Sequence, residues 1–257
     1  MSYTRVLVPL DGSDRALAAL GPARRLARPH RAELGLVTVA APDAAADEAD
    51  VVVDAGRRAA GDPEAPGMIL RATDIASELA RLDRDRPEFL LCMTTRARRP
   101  LGRAVLGSIA REVVRRSDQA ISLVGPRCDV ANTRDIRRLL VCLDGTVQGE
   151  AILPWAKRWS STTGVELVLV RVVYPLVDPA ARIAPTESQL DELGYVRRIG
   201  LDLERDGYRV ADVTVQHPFA PMRSRTLLQI SPMHSWPCRR LMPVRYLKPS
   251  KAAPSPR

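Results

Sequence analysis

Apolar runs alternate with amphipathic stretches along most of the chain. Arg5 to Leu10 is almost wholly apolar and stops at the polar turn Asp11-Gly12-Ser13-Asp14. A short apolar run bounded by turn residues reads as a strand buried on both faces. Ser13 is placed to cap a helix over 14–27, where Leu17, Leu20, Ala23 and Leu26 share one face and Pro22 predicts a kink. Further strands are expected at Glu33–Ala40, Met68–Ala72, Glu88–Met93 and Ala120–Val124. Helices are expected at 44–60, Ile75–Leu82 and Ser108–Arg116. Strands alternating with helices imply right-handed crossovers and a doubly wound parallel five-stranded sheet of Rossmann-like α/β type.

The opening pattern returns. Arg5-Val6-Leu7-Val8-Pro9-Leu10-Asp11-Gly12-Ser13 aligns without gaps on Arg138-Leu139-Leu140-Val141-Cys142-Leu143-Asp144-Gly145-Thr146, an offset of 133 residues. At that offset Glu33-Leu34-Gly35-Leu36-Val37-Thr38-Val39 falls on Glu166-Leu167-Val168-Leu169-Val170-Arg171-Val172. Two tandem copies of one α/β unit follow. In the second copy strands are expected at 139–143, 166–173 and 208–215, with helices at 147–158 and 186–206. The elements that should come next do not appear, so this copy reads as truncated. The expected organisation is an α/β domain over 1–127, a linker over 128–137, a partial second domain over 138–217 and a tail over 218–257.

Charge sharpens the last boundary. The chain has 257 residues and a formal net charge of +9. Residues 218–257 hold eight Lys or Arg and no Asp or Glu, so residues 1–217 carry only about +1 (9 − 8). Eight of the 21 prolines lie there too, and neither helical nor strand periodicity is legible. The tail reads as a disordered basic arm, a solvated linker, or sequence not selected to fold here, such as a shifted reading frame. Nucleic-acid binding is expected only through this tail. Apolar stretches of about five to seven residues fall far short of the ~20 that a membrane span needs. The first apolar run is also too short for a signal peptide, which makes the expectation a soluble cytoplasmic protein. The four cysteines (92, 128, 142, 238) show no paired spacing and the three histidines are dispersed, which argues against a zinc site. Cys92 and Cys142 stand in apolar runs and are expected to be buried, and His30 to be a solvated loop residue.

In a doubly wound sheet, ligands bind beyond the carboxyl ends of the strands. Leu10-Asp11-Gly12, Val39-Ala40 and the stretch from Thr94 to Ser108 are expected there. The last enters a helix at Gly107-Ser108, where free N–H groups and a partial positive charge suit a phosphate. Arg96, Arg98, Arg99 and Arg103 add cations.

A strand ending in Asp-Gly-Ser, a second ending near Val39 and a late loop closing on Leu106-Gly107-Ser108-Ile109-Ala110 resemble the universal stress protein family in its tandem-domain form. The resemblance covers residues 4–127 and, in part, 137–217. It implies an adenine-nucleotide-binding fold in which a loop of form Gly-x-x-Gly-(nine residues)-Gly-Ser wraps the phosphates of ATP. Here the first two glycine positions hold Thr94 and Ala97, while Gly107 and Ser108 match. The resemblance implies that Asp11 faces the nucleoside, that the backbone at Val39 meets adenine, and that Leu10, Gly12, Thr95, Arg98, Gly102 and Ile109 line the site. Losing one or two loop hydrogen bonds would cost about 1–3 kcal/mol and weaken ATP roughly 5- to 150-fold. Asp11 beside phosphates could help to hold Mg²⁺.

The leading expectation is a stress-response protein that binds ATP without needing to turn it over and signals through a protein partner or a second copy. The alternative is a nucleotide-free dimerisation or interaction module whose pocket has decayed. No Ser/His/Asp arrangement and no Gly-x-x-x-x-Gly-Lys loop is legible, so a weak ATPase is the only enzymatic reading. Asp144 is expected to be a turn residue, because its copy has no phosphate loop.

Overall fold

The computed structural model describes residues 3–95, 106–125, 128–132, 134–173, 187–216 and 244–245 of the chain. They form two compact units, residues 1–135 with 242–257, and residues 136–241.

The first unit alternates as the hydrophobic pattern predicts. It contains β1 (Arg5–Leu10), α1 (Asp14–Leu17), α2 (Leu20–His30), β2 (Glu33–Ala40), α3 (Ala46–Ala60), β3 (Gly67–Arg71), α4 (Ile75–Asp85), β4 (Phe89–Thr94), α5 (Ser108–Arg116) and β5 (Ile121–Val124). The five strands are parallel in the order β3-β2-β1-β4-β5. β1 and β4 lie centrally and are the most uniformly apolar, because helices cover both faces there. Leu7, Leu91 and Val37 from the sheet pack with Leu79 of α4 and Val113 of α5 in one buried cluster.

In this unit two expectations need correction. The helix over 14–27 is two helices, α1 and α2, separated at Ala18-Ala19. Pro22 has no N–H to offer the Ala18 carbonyl, so the expected kink becomes a break. His30 is the last residue of α2 and is buried, with Tyr3 edge-on to its ring at 5.1 Å. The helix continues past Pro29, which carries His30 inward. Val244–Arg245 form β9, which pairs antiparallel with β5 through Ser122 and Ile121. Two residues are too few for any sequence periodicity to register.

Residues 128–132 do not hang free between the units. The buried Arg25 donates to the carbonyls of Asp129 (3.3 Å) and Asn132 (3.2 Å), which fastens this segment to α2.

The second unit contains β6 (Arg138–Cys142), α6 (Val147–Glu150), α7 (Leu153–Thr163), β7 (Glu166–Val173), α8 (Glu187–Arg205) and β8 (Val210–Gln216), with the parallel order β6-β7-β8. The bounds of α6, α7 and β7 lie 133 residues after those of α1, α2 and β2. The helix expected over 147–158 is again broken, because Pro154 cannot donate to Glu150. Cys142 is exposed, against expectation. It closes β6, an edge strand among the described residues, so an apolar run is no guarantee of cover at its end.

Candidate functional site

Strand order reverses between β1 and β4, so the crevice that such a sheet offers opens beyond their carboxyl ends. Beyond β1, Gly12 has φ +77°, a left-handed conformation that L side chains rarely adopt. Asp11 Oδ1 accepts from the Ser13 amide (3.1 Å) and hydroxyl (2.5 Å), and Ser13 in turn caps α1 by accepting from the Ala16 amide. The turn therefore holds its exposed carboxylate in one place.

The ends of β1 and β2 are tied by a buried bond. Thr38 donates its hydroxyl to the Leu10 carbonyl at 3.1 Å. Val39, next in β2, is half-buried against the core cluster, as is Leu106 just before α5. These two contacts set the level at which the end of β2 and the start of α5 stand.

β4 ends at Thr94, which pairs with Val124 of β5. Thr95 closes the strand by giving both its amide (2.9 Å) and its hydroxyl (3.3 Å) to the Val124 carbonyl. Thr94 has no positive φ, so at this first loop position the chain has no need of glycine's conformational range. At the other end of the loop Gly107 is the N-cap of α5, with φ −60° and ψ 160° and no side-chain cap. The helix start is thus open: Ser108 and Ile109 are exposed, and no side-chain oxygen of the N-cap shields their amides.

Leu10, Asp11, Gly12, Val39, Thr94, Thr95, Gly107, Ser108 and Ile109 therefore all lie at the carboxyl end of the sheet. Ala97, Arg98 and Gly102, with the other loop arginines Arg96, Arg99 and Arg103, lie outside the described residues. Two contributors escape a reading of the sequence. Thr38 is one; its only signal is a polar β-branched residue inside an apolar strand. Arg71 is the other, donating to the carbonyls of Ala41 (3.1 Å) and Ala44 (2.5 Å) and so fixing the loop after β2. A basic residue at a strand end carries no such message.

Among the described residues no group of three or more His, Cys, Asp or Glu could hold a metal ion, and no helix is long and apolar enough to cross a membrane. His30 is the last residue of α2 and the buried Asp83 lies two residues before the end of α4, so both sit toward the amino edge of the sheet, away from this crevice.

Residues 2–124 match the family model described as the universal stress protein family. No curated protein matches the chain. Among solved structures, a universal stress protein from Archaeoglobus fulgidus DSM 4304 is 16% identical with a TM-score of 0.63, covering 88% of this chain and 84% of that one. A candidate universal stress protein from Pseudomonas aeruginosa UCBPP-PA14 is 13% identical with a TM-score of 0.55, covering 88% and 79%. A universal stress protein in complex with cAMP is 23% identical with a TM-score of 0.40, covering 49% and 98%. At these identities the likeness to the first two concerns the fold alone.

Proposed function

Taking residues 2–124 as what they match, a domain of the universal stress protein family, we propose that the chain binds ATP at the carboxyl end of β1 and β4 and passes its occupancy to protein partners without turnover being required. The observation that carries this reading is the N-terminus of α5, free of a side-chain cap and at the same carboxyl end of the sheet as the Asp11-Gly12 turn, where the strand order reverses. The amides of Ser108 and Ile109 would hold phosphate oxygens, and the Ser108 hydroxyl would add a donor. Asp11 would face the ribose with a carboxylate already oriented by Ser13, and it would be available to a Mg²⁺ on the phosphates. Val39 would set the floor under adenine.

Isothermal titration of the full chain with Mg-ATP tests the reading. A saturating heat is expected; no heat above the buffer blank with nucleotide in large excess overturns it.

A second reading also has an observation in its favour. Asp11 Oδ1 and the Thr95 hydroxyl are both engaged within the chain, as they would be in a pocket that had ceased to take ligand. The chain would then act as a nucleotide-free interaction module, through a second copy or another protein, in the cytoplasm. Purification without nucleotide exchange, followed by analysis of the released small molecules, separates the two readings. A partial second stress-type domain over 138–217 belongs to both.

A further inference from the structure

We propose that Arg171 closes the second unit's counterpart of this site, so that nucleotide is held by the first unit alone; the proposal rests on the reading of the first-unit site given above. The two turns are built alike. Asp144 Oδ1 accepts from the Thr146 amide (2.9 Å) and hydroxyl (2.7 Å), as Asp11 does from Ser13. Thr146 caps α6 by accepting from the Gly149 amide, and Gly145 has φ +86° where Gly12 has +77°.

The difference comes from the neighbouring strand. At the offset of 133, Arg171 of β7 stands where β2 has Thr38. Thr38 is short and turns its hydroxyl onto the Leu10 carbonyl, so it does not reach across the glycine turn. Among the described residues, a Cβ placed on Gly12 would meet only Val52 Cγ2, at an ordinary 3.5 Å. A Cβ placed on Gly145 would fall 2.7 Å from Arg171 Nη2, 2.9 Å from Cζ and 3.3 Å from Nε. The guanidinium thus lies across the turn that a nucleoside would face.

It is held there from the other side. The guanidinium carbon stands 4.8 Å from the ring centroid of Tyr195 on α8, and the Tyr195 hydroxyl donates to Glu150 Oε1 of α6 at 2.8 Å. A planar cation over an aromatic face is a favourable and directional contact. Asp144 supplies the opposite charge nearby: its carboxyl is held below the usual range by the Thr146 hydrogen bonds and, to a smaller degree, by Arg171. A ligand at this turn would have to displace a cation satisfied by an aromatic face and a carboxylate. Arg171 acts as an internal occupant.

Side-chain NMR of the full chain tests this, with Arg171 Nε–H assigned by Arg171→Lys. Without ligand, the Arg171 Nε–H is expected to exchange with water at least tenfold more slowly than that of exposed Arg205; equal rates overturn the closure whatever the nucleotide does. With Mg-ATP, and separately adenosine, the Gly145 amide and Arg171 Nε–H are expected to stay in place; a saturating shift of either overturns it. In Arg171→Thr, adenosine is expected to shift the Gly145 amide to saturation. A folded Arg171→Thr that stays silent while the first unit responds removes Arg171 as the cause, and if that variant does not fold, the two wild-type measurements still decide. The first-unit reading is judged apart, by Gly107 and Ser108: their silence in Mg-ATP sinks ATP binding there and leaves the exchange result on Arg171 standing.

Discussion

The hydroxyl of Ser117, which ends α5, donates to the carboxyl of Asp83 on α4, and both side chains are buried. Burial pushes the Asp83 carboxyl up to about 6; the Ser117 bond and Arg84 oppose this, and Asp118 adds to it. Folded Asp83 therefore keeps a proton that the unfolded chain releases near 3.8. Its contribution to stability is full below 3.8 and is lost as pH rises through about 6. Asp83→Asn removes this dependence. Thermal unfolding at pH 4 and pH 7 is expected to show the variant gaining on wild type as pH rises; a constant difference would refute the assignment.

His30 acts in the opposite sense. Burial lowers its imidazole to about 4 from 6.5. The unfolded chain takes up a proton below 6.5 that the folded chain refuses, so stability falls as pH drops from 6.5 through 4. His30→Phe keeps a ring against Tyr3 and is expected to flatten this acid limb. Denaturant midpoints from pH 7 to pH 4 measure it.

Gly107→Asp separates stability from binding. The new carboxylate would cap α5 at backbone angles suited to an N-cap, worth a few tenths of a kcal/mol. The same charge would stand where a phosphate is proposed. The expected outcome is an unchanged or slightly higher Tm with ATP binding lost. Retained affinity in a folded variant would move the phosphate site elsewhere.

Gly12→Ala forces an alanine into φ +77°, at a cost of about 1–2 kcal/mol. The space around it is ordinary, so conformational strain accounts for the whole effect. Urea titration is expected to show a loss of this size. Leu79→Ala, at a fully buried position in the core cluster, should cost about 2–5 kcal/mol by the same measurement.

The cysteines should react in the order of their exposure. Cys142 is exposed and Cys128 half-buried, with its thiol raised by burial. Cys92 is fully buried and its thiol is pushed up to about 12. Among these three, an aromatic disulfide reagent is expected to modify Cys142 first and Cys92 only after denaturation. Early labelling of Cys92 would contradict the packing of β4.

The chain's own pattern of apolar runs, turns and caps determined most of the architecture. Strands buried on both faces must be apolar throughout, and Asp-Gly-Ser and Asp-Gly-Thr must turn; all of this is local chemistry. The placing of Asp11, Gly12, Thr94 and Gly107 at one sheet end follows from strand alternation, which sends every strand's carboxyl end the same way. Tertiary structure decided what depends on neighbours remote in sequence. It buried His30 beside Tyr3 and Asp83 beside Ser117, left Cys142 uncovered on an edge strand, set Val244–Arg245 against β5, and laid Arg171 across Gly145. In each case the residue type permits both outcomes. The packing of a distant element selects one, because burial and charge pairing are properties of the assembled surroundings.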